Sequence, residues 1–127
     1  MGEIRPHVDT RSKILTLAAA LELRPPIAIA TGYFDVLRAE DARELGRVRH
    51  HPLLVVVLPL ANEILSLSAR AEMVAALRVV DYVVTADDGD VERLVSELQP
   101  VEFVRLETAE ARRTSQLIEH VHRRQTS

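Results

Sequence analysis

The chain has 127 residues, which is enough for one domain with one core. Its formal net charge of −3 argues against a nucleic-acid-binding protein, which usually carries an excess of basic residues, and the absence of cysteine excludes disulfides and thiolate metal sites. Apolar runs are too short to span a bilayer and residues 1–13 lack a hydrophobic signal segment, so we expect a cytoplasmic protein without membrane or nucleic-acid partners.

Helical and strand patterns alternate along the chain after a polar segment at 1–12, which we expect to be flexible. Thr16 is placed to cap a short helix that ends before Pro25. The later patterns predict a strand at 27–30, a helix at 39–49, a strand at 53–58, a helix at 69–78, a strand at 81–85, a helix that begins in the turn at 87–90, a strand at 101–106 and a last helix from about 109 to 122. The strand at 53–58 is continuously apolar, as is typical of a strand covered on both faces.

This alternation predicts one α/β domain over residues 13–127, in which a parallel sheet of about four to five strands carries helices on both faces. In such sheets ligands bind outside the carboxyl ends of the strands, near the point where the strand order reverses. The first strand leads into TGYFDVLRAED at 31–41, which is therefore the first candidate site. Gly32 either lets a ligand approach the backbone or only makes a tight turn, and one glycine does not decide between the two.

Three segments resemble signatures of the HIGH-motif nucleotidyltransferases. TGYFDVLRAED resembles the first signature, roughly T-x-G-x-F-D-x-L-H-x-G-H. RAEMVAALRVVDYVV at 70–84 is similar to a segment of ADP-heptose synthases and glycerol-3-phosphate cytidylyltransferases, R-x-E-x-x-A-A-L-x-x-V-D-x-V-V. RRTSQLIEHV at 112–121 resembles the start of the closing helix, with Thr114 and Ser115 at its hydroxyl positions.

The resemblance implies a Rossmann-like nucleotidyltransferase domain that forms a homodimer and, if active, uses ATP or CTP with Mg²⁺. The nucleotide-binding positions that it implies are Thr31, Gly32, Tyr33, Phe34, Asp35, Arg38, Asp41, Arg70, Thr114 and Ser115. It also implies a dimer contact around Asp81 and Tyr82. We predict no metal site built by the protein itself, because the histidine spacing used by helical metal sites is missing.

The chain departs from the resembled family at the catalytic element. Two family histidines contact the triphosphate there, whereas this chain has Arg38 and Asp41, with Glu40 in place of the intervening glycine. Arg38 is the candidate catalytic residue, because a guanidinium pairs well with phosphate. Carboxylates stabilise a helix N-terminus by about 0.3–1 kcal/mol each, so Glu40 and Asp41 compete with phosphate for that position.

Two connections are also shorter than in the family: PLANEILSLSA at 59–69, which lacks Lys and Arg, and ETAEARR at 107–113. Arg70 is either a ligand for an anion or an exposed arginine in the first turn of a helix.

Three functions remain open. The chain is a degenerate family member that retains nucleotide or sugar-phosphate binding, an active adenylyl- or cytidylyltransferase for a sugar or polyol phosphate, or a ligand-free structural or regulatory dimer module.

Overall fold

In the computed structural model, four parallel strands form one sheet with helices on both faces. The structure describes residues 10–35, 39–48 and 50–108. The strands are β1 (Ala28–Gly32), β2 (Leu53–Val57), β3 (Tyr82–Thr85) and β4 (Glu102–Arg105), and the helices are α1 (Leu17–Leu21), α2 (Ala39–Gly46), α3 (Leu67–Ala75) and α4 (Asp88–Leu98). The predicted parallel α/β fold is therefore confirmed. The last predicted helix, from about 109 to 122, lies outside the described residues.

The strand order is β3-β2-β1-β4, and all three pairings are parallel. Ala28 of β1 lies beside Leu53 of β2 on one side and Glu102 of β4 on the other. The chain adds β2 and β3 on one side of β1 and then crosses back to place β4 on the other side. The carboxyl ends of β1 and β4 therefore flank the point at which the strand order reverses.

Alternate residues of β1 and β2 point to opposite faces of the sheet, and both faces are buried. The first face packs against α2 and α3 and includes Ala28, Ala30, Leu53, Val55 and Val57. The second face packs against α1 and α4 and includes Ile27, Ile29, Leu54, Val56 and Leu58. Because both faces are covered, both positions of each alternation must be apolar, which accounts for the run at 53–58.

Side-chain caps begin three of the helices. Thr16 accepts a hydrogen bond from the N–H of Ala19 at 3.1 Å, and Ser66 caps α3 in the same way at 3.1 Å. Asp87 accepts from the N–H of Asp90 at 2.8 Å and starts α4. The acidic turn at 87–90 is thus a helix start, as its sequence predicts.

The described residues begin at Thr10, near the end of the segment at 1–12 that we expect to be flexible. Thr10–Lys13 forms a 3₁₀ helix, and Ile14 makes a parallel bridge with Val83 of β3. The N–H of Leu15 donates to the carbonyl oxygen of Val83 at 2.7 Å. These contacts of Ile14 and Leu15 join the start of the domain to the edge of the sheet. Residues 1–9 lie outside the described part of the chain.

Candidate functional site

A carboxylate covers the end of β1 at the strand-order reversal. Thr31 is fully buried, and its hydroxyl donates a hydrogen bond of 2.5 Å to Glu107. The other carboxylate oxygen of Glu107 accepts from Arg105 Nη1 at 3.0 Å, and the Arg105 guanidinium lies 5.1 Å from the centre of the Phe103 ring. Glu107 was not among the predicted site residues. It lies two residues after the end of β4, and the usable signal was a charged residue close to a strand end.

Arg70 ties together the loops that follow β1 and β2. Its side chain is fully buried, with 0% exposure. One terminal nitrogen donates to the carbonyl oxygens of Tyr33 and Leu58, both at 2.8 Å. Nε donates to the carbonyl oxygen of Leu65 at 3.2 Å, and the other terminal nitrogen forms a 2.7 Å ion pair with Glu63.

Arg70 is buried, so the alternative of an exposed arginine in the first turn of a helix is wrong. It lies in the first turn of α3 at the carboxyl edge of the sheet, as an anion ligand would, but its guanidinium already donates to acceptors of the chain itself. Its role in nucleotide binding stays a prediction.

Asp35 holds the same loop from the solvent side. Its carboxylate accepts the N–H groups of Ile64 and Leu65, each at 2.9 Å. Desolvation raises the pKa of Asp35, but the hydrogen bonds from Leu65 and Ile64, helped by Arg70, outweigh it and place the pKa below its ordinary value. Two consecutive N–H groups that could receive an anion therefore already hold a carboxylate.

The turn after β1 places its left-handed residue at Phe34 and not at Gly32. Gly32 is the last residue of β1, where it pairs with Val57, and its carbonyl oxygen accepts from the N–H of Leu58 at 2.9 Å. Phe34 has a φ of 54° and a fully buried side chain. Burial of this ring in the first-face core offsets a backbone conformation that is unfavourable for a bulky residue. Tyr33 packs against the other core.

The start of α2 is acidic and borders a groove. Glu40 is exposed, whereas Asp41 is only 2% exposed. A cavity of about 600 Å³ lies between α2 and β4, which we call the α2–β4 groove. Its helix wall is formed by Glu40, Asp41, Arg43, Glu44 and Arg47, and its strand wall by residues 104–106.

The remaining predicted residues are not brought to this edge by the described structure. Arg38, Thr114 and Ser115 lie outside the described residues. Asp81 and Tyr82 lie at the opposite, amino end of the strands, where the Asp81 carboxylate accepts the N–H of Leu53 at 2.8 Å. The dimer contact proposed for Asp81 and Tyr82 stays a prediction.

The described residues contain neither a metal-binding cluster nor a membrane-spanning helix. Within residues 10–35, 39–48 and 50–108, no three His, Cys, Asp or Glu side chains come together as a metal site requires. In the same part of the chain, none of the helices has both the length and the apolar character needed to cross a bilayer.

Comparison with known proteins supports the fold. No family model and no curated protein matches the chain. Among solved structures, a lipopolysaccharide core biosynthesis protein from Thermoplasma volcanium GSS1 is similar, with a TM-score of 0.55 and 22% sequence identity. The match covers 63% of this chain and 94% of that chain. At this identity the similarity shows a shared Rossmann-like α/β architecture and leaves the HIGH-motif signature unaddressed.

Proposed function

We propose that the chain is a nucleotidyltransferase-like domain that holds a nucleotide or sugar phosphate at the carboxyl edge of β1 and β4 without efficient nucleotidyl transfer. The resemblance of residues 31–41 and 70–84 to the HIGH-motif signatures supports the choice of ligand. The strand-order reversal supports its location, because open α/β sheets bind ligands there.

One observation supports the proposed loss of efficient transfer: carboxylates of the chain already accept hydrogen bonds from the donors at this edge. Glu107 accepts hydrogen bonds from Thr31 and Arg105, and Asp35 accepts hydrogen bonds from two backbone N–H groups. Two like charges about 4 Å apart repel by roughly 1 to 4 kcal/mol at surface-like dielectrics. A triphosphate at this edge would meet that repulsion, and the two histidines of the resembled family are replaced here by Arg38 and Asp41.

Arg105 is the described cation best placed to receive a phosphate. Its side chain is 42% exposed, whereas that of its partner Glu107 is 13% exposed. In this proposal the guanidinium turns from Glu107 to a phosphate when a ligand binds. Magnesium is proposed only as the counterion that accompanies ATP or CTP.

A titration by calorimetry tests the proposal. ATP, CTP, ADP and CMP are added to the full chain with and without Mg²⁺, and pyrophosphate release is followed with sugar phosphates present. We expect weak saturable binding that Arg105→Gln weakens and that Arg93→Gln, an exposed arginine of α4, leaves unchanged. Pyrophosphate release that disappears in Arg38→Ala would establish the active transferase instead.

The ligand-free dimer module is the second candidate, and the burial of Arg70 favours it. An arginine with no exposed surface and four hydrogen bonds to its own chain serves the loops around it. The absence of binding by any of the four nucleotides, together with a dimer in light scattering that Tyr82→Ala disrupts, would support this module.

A further inference from the structure

Strand β4 forms one edge of the sheet, and its outer side has no neighbour among the described strands. The strand order β3-β2-β1-β4 gives β4 a single partner, β1, beside which it runs from Glu102 to Arg105. The backbone N–H and C=O groups on the other side of an edge strand face away from the sheet, where they can pair with a further strand. The outer side of β4 is therefore a surface on which the sheet can be extended.

The other edge of the sheet is covered, whereas β4 presents apolar side chains to solvent. At the β3 edge, Ile14 bridges Val83, and the N–H of Leu15 donates to the carbonyl oxygen of Val83. At the β4 edge, Val101 is 51% exposed and Phe103 is 37% exposed. Because successive residues of a strand alternate between faces, these two side chains lie on the same face. Exposed apolar side chains beside an open strand edge are typical of a site at which another chain binds.

We propose that β4 pairs in antiparallel fashion with β4 of a second copy of the chain, which joins the two four-stranded sheets into one continuous sheet. A two-fold axis perpendicular to the sheet generates this arrangement, because it reverses the strand direction and keeps each face of the sheet on its own side. The second copy is the occupant that the sequence of β4 favours, because the strand complements itself about this axis. The contact lies on the opposite side of the sheet from β3, in which Tyr82 lies.

The charges of β4 restrict the register of this pairing. An axis at Glu102 or at Arg105 would set two like charges directly opposite each other, which destabilises a strand pair. An axis at Phe103 places the two exposed rings opposite each other, and Val101 opposite Arg105 of the second copy. An axis at Val104 would move the two rings apart. Since directly opposed aromatic side chains stabilise antiparallel strands, the axis at Phe103 is the register we propose.

Arg105 supports this register from both copies. Its guanidinium lies 5.1 Å from the centre of the Phe103 ring, and Glu107 accepts its hydrogen bond at 3.0 Å. In the paired strands the aliphatic part of Arg105 covers Val101 of the second copy, while the guanidinium stays beside the aromatic rings. Removal of water from this contact strengthens the attraction between a guanidinium and a ring. The exposed apolar atoms of both strands are thereby buried, and the arginine keeps Glu107 as its ionic partner.

Sedimentation equilibrium of the full chain over a range of concentrations tests the pairing. We expect a monomer–dimer equilibrium in the parent chain and a dissociation constant about tenfold higher in Phe103→Ser, because a central aromatic pair contributes strongly to the affinity of a contact. Ile64→Ser is the matched control, since Ile64 is an apolar residue with 75% exposure in the loop between β2 and α3. This control lies outside the contact and should change the dissociation constant by less than about twofold.

Substitutions of Val101 test the register. Val101 is exposed and precedes β4, so variants at this position keep the fold even where Phe103→Ser does not. Val101→Glu sets a carboxylate opposite Arg105 of the second copy and should lower the dissociation constant about threefold at low salt, with the gain lost at about 0.5 M salt. Val101→Arg sets like charges opposite each other and should raise the dissociation constant by a similar factor.

Three outcomes would overturn the proposal. A parent chain that stays monomeric up to about 1 mM would exclude the contact. A dimer that Tyr82→Ala disrupts and Phe103→Ser leaves intact would assign the contact to the β3 side of the sheet. Equal effects of Val101→Glu and Val101→Arg would exclude antiparallel pairing centred on Phe103.

Discussion

Arg70 and Asp35 hold one residue, Leu65, from opposite sides. Arg70 Nε donates to the carbonyl oxygen of Leu65 at 3.2 Å, and the Asp35 carboxylate accepts the Leu65 N–H at 2.9 Å. The loop between β2 and α3 is thereby fastened to the turn after β1. The groups that fasten it are an arginine and an aspartate that the resemblance assigns to a nucleotide site.

Replacing Arg70 should destabilise the whole domain. In Arg70→Met the carbonyl oxygens of Tyr33 and Leu58 lose their donor, and an unsatisfied buried polar group costs about 1–3 kcal/mol. We therefore expect the free energy of unfolding in urea to fall by about 3 kcal/mol. Arg93→Met is the matched control, since its exposed pair with Glu97 contributes at most about 1 kcal/mol. Equal stability of Arg70→Met and the parent chain would contradict the role of Arg70 as a structural link.

The stabilising effect of Asp35 should depend on pH. Because its pKa in the folded chain lies below the ordinary value, its contribution is fully present above that value and is lost as the pH falls through the folded pKa. We expect Asp35→Asn to lower the free energy of unfolding by about 1 kcal/mol at pH 7, and the difference to shrink at about pH 3. Urea unfolding of both proteins at the two pH values measures this. A constant difference would show that the charge of Asp35 is not what holds Ile64 and Leu65.

Thr31 and Glu107 should be energetically coupled. The buried hydroxyl of Thr31 donates to Glu107, so Thr31→Val removes this bond while nearly keeping the side-chain volume. We expect a loss of about 1 kcal/mol, and a coupling energy of roughly 0.5–3 kcal/mol in a double-mutant cycle with Glu107→Gln. Additive effects of the two substitutions would mean that the Glu107 carboxylate does not accept a hydrogen bond from the Thr31 hydroxyl in solution.

Removing negative charge at the carboxyl edge should strengthen anion binding. Glu40 is exposed and Glu107 lies over the end of β1, so Glu40→Gln with Glu107→Gln changes charge with little change in volume. We expect the double variant to bind ATP roughly tenfold more tightly than the parent chain, which corresponds to about 1.4 kcal/mol. Glu92→Gln on α4 is the control for a general charge effect. Unchanged affinity would show that these carboxylates do not oppose the ligand.

Strands β1 and β2 were predictable because burial on both faces leaves a simple local signal. The run at 53–58 must be apolar at every position once both faces are covered, and this pattern needs no knowledge of the partner strands. The capping role of Asp87 was also local, since its acceptor and donor lie three residues apart. The strand order was not readable in this way, because alternation alone does not say which strand lies beside β1.

The candidate site was less predictable because its partners are distant in sequence. Arg70 donates to Tyr33 and Leu58, and no local pattern distinguishes such a buried arginine from a ligand-binding one. Glu107 became part of the site only because β4 lies next to β1. Gly32 was considered for a tight turn or a close approach of a ligand, but it ends β1, and the left-handed residue of the turn is the buried Phe34.

The bridge between Ile14 and Val83 has a consequence for the fate of the chain after cleavage. An open strand edge offers unpaired N–H and C=O groups to other chains and so promotes aggregation. Ile14 and Leu15 occupy those groups at the middle of β3, and Lys13 secures them by donating to the carbonyl oxygen of Leu77 at 3.1 Å. A protease that cut just after Leu15 would leave the apolar strand β3 exposed to other molecules. Ile14 and Leu15 therefore shield this part of the β3 edge from pairing with a second chain.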